Sequence, residues 1–264
     1  MGKRRLDSLL AERGLYESRS RAAAAVLAGE VRLGGNGRRA EKPGQLVAED
    51  VDVEVAQAPP FVSRGGTKLA NALDAFGLDP RDRLCLDVGA STGGFTDCLL
   101  QRGAEAVVAL DVGYGDLSWR LREDPRVTVL ERLNARDLRP EHLPYEPDLI
   151  VADVSFISLA KVLPAVVAYA AEGFDCLALV KPQFEVGRDR VGKGGVVRSA
   201  EDRRGALVEV GRMAREELGL AVLGYASSGL PGPAGNRESF VWLAEAGRGG
   251  LAADLEAAAR RAEP

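Results

Sequence analysis

Two lysines and two carboxylates carry the chemistry this sequence offers: Lys68, Asp153, Lys181 and Glu238. The 264 residues hold six lysines against 29 arginines, so a retained lysine is informative. Lysine can be tuned to act as a base or a point charge, whereas arginine stays charged. Two cations and two carboxylates neutralise one another when partly buried. A lysine held in such a set can take or draw off the proton of a weakly acidic hydroxyl. Lys181 is assigned that role, with Asp153 holding it, and Lys68 and Glu238 orient the hydroxyl and Lys181. The competing reading of the four residues is a structural salt-bridge set. A histidine triad or a multi-histidine metal site is disfavoured by a single histidine, His142. Cys85, Cys98 and Cys176 stand at no metal-binding spacing, and no metal is expected; they read as reduced, buried thiols.

The four residues need a scaffold that brings distant segments to one edge. Apolar runs at 84–88, 106–111, 127–130, 148–153, 175–180, 221–227 and 239–244 read as seven strands. Helical patterns separate them at about 95–102, 116–123, 159–171 and 201–218, and Leu69, Ala72, Leu73 and Phe76 form one face of a preceding helix. This alternation predicts an α/β fold with a doubly wound, mostly parallel sheet. Ligands of such sheets lie beyond the carboxyl ends of the strands. Asp153 ends the fourth strand and Lys181 follows the fifth. Glu238 opens the seventh, which is expected to run antiparallel and so return it to the same edge. Lys68 comes from the start of the preceding helix.

A glycine-rich turn follows the first strand of that sheet: Asp87-Val88-Gly89-Ala90-Ser91-Thr92-Gly93-Gly94-Phe95-Thr96. Its glycines allow a sharp bend and close approach of a ligand, and the next helix aims free N–H groups at it. Ser91 replaces the second glycine of a dinucleotide fingerprint, and no P-loop occurs, so NAD and nucleoside triphosphates are disfavoured. The Asp87-x-Gly89-x-x-x-Gly93-Gly94-Phe95 pattern, with Asp111 ending the next strand, resembles the S-adenosyl-L-methionine site of Rossmann-like methyltransferases. That resemblance assigns Asp87 and residues Gly89, Ala90, Ser91, Thr92, Gly93, Gly94 and Phe95 to the methionine end of the cofactor. It assigns Asp111 to the ribose diol, Asp137 to the adenine amino group, and Asp153 to the cofactor as well as to catalysis.

Residues 1–48 carry ten Lys/Arg against five Asp/Glu, while the whole chain has net charge −4. A basic head on an acidic body points to a polyanion partner. Leu6, Leu9 and Leu10 before Gly14 read as one helix; Ser18 or Ser20 caps a second that Gly29 closes. Arg19 and Arg21 fall in its first turn, where cations oppose the helix dipole. Residues 31–33 and 51–55, with the Gly34–Gly37 turn, read as a short sheet. The strings Arg5-Leu6-Asp7, Ser18-Arg19-Ser20-Arg21 and Gly29-Glu30-Val31-Arg32-Leu33 resemble the small α+β RNA-binding domain of the ribosomal-protein S-four type. The four-residue turn Gly34–Gly37 departs from that family's shorter one. The expected organisation is that domain at 1–58, a linker at 59–66, the methyltransferase sheet at 67–250 and a helical tail at 251–264.

The Lys-Asp-Lys-Glu set resembles that of the FtsJ-like RNA ribose 2′-O-methyltransferases. Val62-Ser63-Arg64-Gly65-Gly66-Thr67-Lys68-Leu69, Asp153-Val154-Ser155-Phe156-Ile157-Ser158 and Lys181-Pro182-Gln183-Phe184-Glu185-Val186-Gly187 resemble the TlyA group within it. The resemblance implies methylation of a cytidine 2′-hydroxyl in ribosomal RNA, with ribosomal RNA or ribosomal subunits as partners. Arg4, Arg5, Arg19, Arg21, Arg64 and Lys193 are assigned to RNA contacts, with Lys193 in a glycine-rich loop, 186–198, flanking the site. Two other readings compete. A non-catalytic RNA-binding or assembly factor would bind RNA without the cofactor. A membrane-active haemolysin, a name some members of the group carry, would permeabilise liposomes; the sequence shows neither a spanning run nor a strongly basic amphipathic helix. No signal peptide is read at the N-terminus, and a cytoplasmic protein is expected.

Overall fold

Short apolar segments closed by glycine build the basic head. In the computed structural model, which describes residues 2–16, 18–35, 37–55, 60–249, 252 and 254–263, Met1–Pro60 and Phe61–Pro264 form two units. The first begins with β1 (Lys3–Arg5) and α1 (Leu6–Glu12), which ends before Gly14 at φ +70°. Ser18 caps α2 (Arg19–Ala28), its Oγ accepting from Arg21 N at 3.2 Å, and Gly29 closes it at φ +82°. Then follow β2 (Val31–Leu33), β3 (Arg38–Arg39), β4 (Leu46–Ala48) and β5 (Val53–Val55). The expected sheet forms with β2 between β3 and β5, all antiparallel. A second pairing, β1 with β4, was not legible in the sequence. Leu6, Leu10, Ala22, Val26 and Val31 fill the core. Asn36 of the expected turn, residues 56–58 at the end of the expected RNA-binding domain and Pro59 of the expected linker lie outside the described residues.

In the second unit Ser63 caps α3 (Arg64–Phe76), so the helix starts within the stretch read as linker, and Lys68 sits in its second turn rather than its first. The chain continues through β6 (Leu84–Val88), α4 (Gly94–Gln101), β7 (Ala106–Leu110), α5 (Trp119–Arg122), β8 (Val127–Leu130), β9 (Leu149–Ala152), α6 (Leu163–Val167), β10 (Asp175–Val180), α7 (Pro182–Glu185), α8 (Ala200–Glu216), β11 (Ala221–Ser227), β12 (Ser239–Ala244) and α9 (Leu255–Ala262). The seven strands pair in the order β11-β12-β10-β9-β6-β7-β8, with β12 antiparallel to both neighbours and the rest parallel. Alternate strand residues face opposite layers. Leu86, Val108, Ile150 and Ala178 pack on the α6, α8 and α9 side, while Cys85, Val107, Val151 and Leu177 pack on the α3 and α4 side.

Two expected helices are shorter than their patterns. Residues 116–123 give only Trp119–Arg122, because Gly113 N and Gly115 N bond the Asp111 and Glu131 carboxylates and hold the preceding segment as a loop. Residues 159–171 break into a 3-10 turn, Leu159–Lys161, and α6, at whose start Pro164 has no N–H to continue the earlier turn. The three cysteines are buried and free; burial pushes the Cys98 and Cys176 thiols up to about 12. Among the described residues no helix is long and apolar enough to cross a membrane.

Candidate active site

The crossover between β6 and β9 sets the position of the site. These two strands are parallel neighbours, yet their connections run to opposite ends of the sheet, which opens a crevice beyond their carboxyl ends. Gly89 follows β6 with φ +86°, and a side chain there would collide with the Asp153 carbonyl. Asp153 itself follows β9, its N–H donating to Val88 O at 2.9 Å. Glycine at 89 thus lets the turn lie directly against the segment that carries a candidate catalytic carboxylate.

Lys181 leaves the end of β10 and reaches back over β9. Its Nζ lies 2.6 Å from Asp153 Oδ1 and donates to Ser155 Oγ at 2.8 Å. On the next strand the antiparallel register pairs Val180 with Ser239, which sets Glu238 beside Lys181 along the sheet edge. Glu238 is only 2% exposed, and its Oε2 accepts from Lys68 Nζ at 2.5 Å. A side chain at Gly232 would strike Glu238 Oε1, so the chain needs glycine there to close over the carboxylate. The expected cluster is therefore two ion pairs, Lys181–Asp153 and Lys68–Glu238, which line one cavity of about 430 Å³. Gly89, Ala90, Ser91, Thr92, Gly94, Phe95 and Arg64 line it too. Lys68 is stable near a helix start because the buried Glu238 carboxylate compensates it.

A second cavity, of about 480 Å³, adjoins the first through Gly89, Ser91, Asp153 and Ser155. Asp111 lines it, its Oδ2 accepting from Ser91 N at 2.8 Å and its Oδ1 from Gly113 N at 2.7 Å. A carboxylate has about four acceptor positions, so Asp111 keeps room for a diol. Asp87 lies fully buried beneath the turn. Its Oδ2 accepts from Thr96 N at 2.9 Å and Thr96 Oγ1 at 2.7 Å, which satisfies a free donor in the first turn of α4. Its Oδ1 has no partner. Burial, with the Asp153 and Asp111 charges, outweighs the Thr96 bonds and pushes the Asp87 carboxyl up to about 7.

Three residues assigned to the cofactor line neither cavity. Asp87 underlies the turn, and Gly93, at φ +94°, leaves space filled by Leu117 and Leu121. Asp137 is exposed, and its neighbours Asn134, Ala135 and Arg136 take the lining position instead, because a 3-10 turn at Ala135–Asp137 rotates it outward. Ser155 and Glu185 escaped notice in the sequence. Glu185, whose carboxyl burial raises, accepts from Ser158 Oγ at 2.7 Å and Leu159 N at 2.9 Å, tying the segment after β10 to the segment after β9. Their short strings, Asp153–Ser158 and Lys181–Glu185, were visible, but not which atoms meet.

The residues assigned to RNA occupy separate places. Arg64 NH2 donates to Pro231 O at 2.5 Å. Lys193 is exposed in a turn where Gly192 and Val196 bridge. In the head, Arg4 pairs with Glu12 at 2.8 Å, Arg5 and Arg19 both pair with Asp7, and Arg21 is exposed with no side-chain partner among the described residues.

Comparison with known proteins places both parts of the chain in known families. Residues 61–245 match the FtsJ-like methyltransferase family and residues 4–53 the S4 domain. The 16S/23S rRNA (cytidine-2′-O)-methyltransferase TlyA of Mycobacterium tuberculosis is 51% identical over 261 residues, covering 98% of this chain and 96% of the relative. Hemolysin A of Brachyspira hyodysenteriae is 44% identical over 195 residues, covering 74% and 80% respectively. A solved structure of a hemolysin-named protein from Streptococcus thermophilus superposes with TM-score 0.74 at 38% identity, covering 99% of this chain and 96% of that one. With its sheet order, paired lysines and carboxylates, and S4 head, the chain belongs to the TlyA group of the FtsJ-like methyltransferase family.

Proposed function

We propose that this chain transfers a methyl group from S-adenosyl-L-methionine to the 2′-hydroxyl of a cytidine in ribosomal RNA, in the cytoplasm. The observation that carries the reading is the meeting of two lysine–carboxylate pairs, from four separate segments, in a cavity walled by the glycine turn that adjoins a second cavity lined by Asp111. The residues present suit the cofactor. Gly89 leaves no room for a side chain where the backbone must stay low, and it lines both cavities. Asp111 would take the ribose diol, and the first-turn N–H groups of α4 suit a carboxylate. The similarity to the rRNA (cytidine-2′-O)-methyltransferase of Mycobacterium tuberculosis supports ribosomal RNA and cytidine as substrate.

When bound, the cofactor supplies an electrophilic methyl on a sulfonium. The chain's own contribution is alignment and proton handling. Once the Lys181 ammonium of the ion pair gives up a proton, its Nζ carries one lone pair. Ser155 Oγ accepts one of its N–H groups and the Asp153 carboxylate lies 2.6 Å away, which fixes Nζ at the cavity where its lone pair can take the hydroxyl proton of ribose O2′. The Lys68–Glu238 pair forms a charge-balanced wall that fixes the opposite side of the cavity. The test is transfer of labelled methyl groups to ribosomal RNA from cells lacking this modification, with modified positions mapped as 2′-O-methylcytidine. Lys181→Ala is expected to lower the rate by about 100-fold or more with cofactor affinity retained. Parent-like methylation by that variant would overturn the assignment of Lys181; no transfer by the parent chain would overturn the function.

A further inference from the structure

The head holds a charge arrangement that the fold alone does not require. Asp7 is 3% exposed and stands at the start of α1. It grips two guanidinium groups from different elements. Arg5, at the end of β1, donates through Nε to Oδ1 at 3.1 Å and through NH2 to Oδ2 at 2.7 Å. Arg19, the first residue of α2, donates through Nε to Oδ2 at 3.2 Å. Asp7 Oδ1 also accepts from Ser8 N at 2.8 Å. These bonds hold the Asp7 carboxyl well below the usual carboxylate range, the Arg5 contact most of all. The Arg5 guanidinium lies over the bare backbone of Gly44.

One carboxylate for two guanidiniums leaves a positive excess. Arginine has five donors. Arg5 commits two of them and Arg19 one, and neither side chain has another partner among the described residues. Both side chains are about half exposed, at 48% and 58%. Arg19 also sits at a helix N-terminus, where a cation is unfavourable unless something compensates it. The arrangement is a cation pair set from behind, with its outer donors turned to solvent and a vacancy in charge for one more anion.

We propose that Asp7 is a positioning residue for RNA binding: it pre-orders Arg5 and Arg19 into one clamp for a backbone phosphodiester. Held by their Nε edges, the two side chains have already lost the rotamer freedom that a free arginine gives up on binding. The proposal rests on the RNA-binding reading of the head and adds to it the buried carboxylate that makes two surface arginines act together.

The distinguishing feature is the sign of the effect. Asp7→Asn removes a negative charge, so charge alone predicts equal or tighter RNA binding. Positioning predicts weaker binding. Fluorescently labelled ribosomal RNA transcripts are titrated with the full chain at salt from about 50 to about 200 mM. Asp7→Asn is expected to weaken binding about tenfold and to lower the slope of log K against log salt by roughly one to two, the loss of up to two phosphate contacts. Should Asp7→Asn unfold the head, seen as a lost thermal transition, the double variant Arg5→Lys/Arg19→Lys gives the same reading. It keeps both charges and Asp7 but removes the Nε donors, and it is expected to weaken binding by a similar factor. Affinity at or above the parent's in either variant overturns the proposal and leaves RNA binding standing. A parent chain that does not bind the transcripts overturns both.

Discussion

Glu238→Leu isolates the most deeply buried ion pair of the site. Lys68 and Glu238 side chains are 8% and 1% exposed and meet at 2.5 Å. Replacing Glu238 leaves a largely buried ammonium without its counter-charge. Breaking a buried pair from one side costs about 3–5 kcal/mol. For a unit of this size each kcal/mol moves the melting temperature by about 2–4 °C, so a fall of roughly 6–20 °C is expected. Lys68→Met alone is expected to cost a similar amount, since it leaves the Glu238 carboxylate buried. In Lys68→Met/Glu238→Leu no charge remains, and most of the loss should return, because apolar groups of similar volume replace buried pairs at little net cost. Methyl transfer should stay absent in all three variants. Scanning calorimetry on the parent, Lys68→Met, Glu238→Leu and Lys68→Met/Glu238→Leu, combined with a methyl-transfer assay, gives the coupling directly. A double variant whose destabilisation equals the sum of the singles would refute the reasoning. The pair would then be two independent surface-like charges.

Asp87 gives a pH signature. Its carboxyl is held up to about 7 by burial, while in the unfolded chain it ionises near 4. The folded state therefore keeps a proton that the unfolded state has released, so stability is fullest below about pH 4 and falls as pH rises to about 7. The contribution is on the order of 4 kcal/mol. Asp87→Asn is expected to flatten that part of a plot of melting temperature against pH; an unchanged slope would count against it. Ser155→Ala removes one of the two bonds that orient Lys181 Nζ. It is expected to lower kcat about fivefold to tenfold with KM nearly unchanged, the worth of one such hydrogen bond. A change confined to KM would place Ser155 on the binding side instead.

The sheet was legible in the sequence because buried parallel strands read as continuous apolar runs. Residues 84–88, 127–130, 175–180, 221–227 and 239–244 appeared there with the bounds the structure has. The strand ends were legible too, since an acid or lysine closes an apolar run abruptly at Asp153 and Lys181. Pairing was not legible. That Lys68 chooses Glu238 and Lys181 chooses Asp153 depends on a register, Val180 against Ser239, that no local pattern encodes. Where Asp137 stands was hidden for a related reason. It follows the third strand at the expected distance, but a 3-10 turn decides which of four consecutive residues faces inward. The first-turn arginines of α2 looked out of place until Asp7 supplied the compensating charge for Arg19 from another helix.

The separation of 170 residues between Lys68 and Glu238 has a temporal meaning. A ribosome adds about 5–20 residues per second, so Lys68 emerges roughly 10–30 s before its partner. The head, whose last strand ends at Val55, is complete well before that. Strand β12 must then insert between β10 and β11, the former made earlier and the latter just released, before Glu238 can reach the lysine. The reactive centre thus comes into being only with the last strand among the described residues. A prematurely terminated chain would carry a finished head and an intact glycine turn, yet no completed lysine pair with which to act.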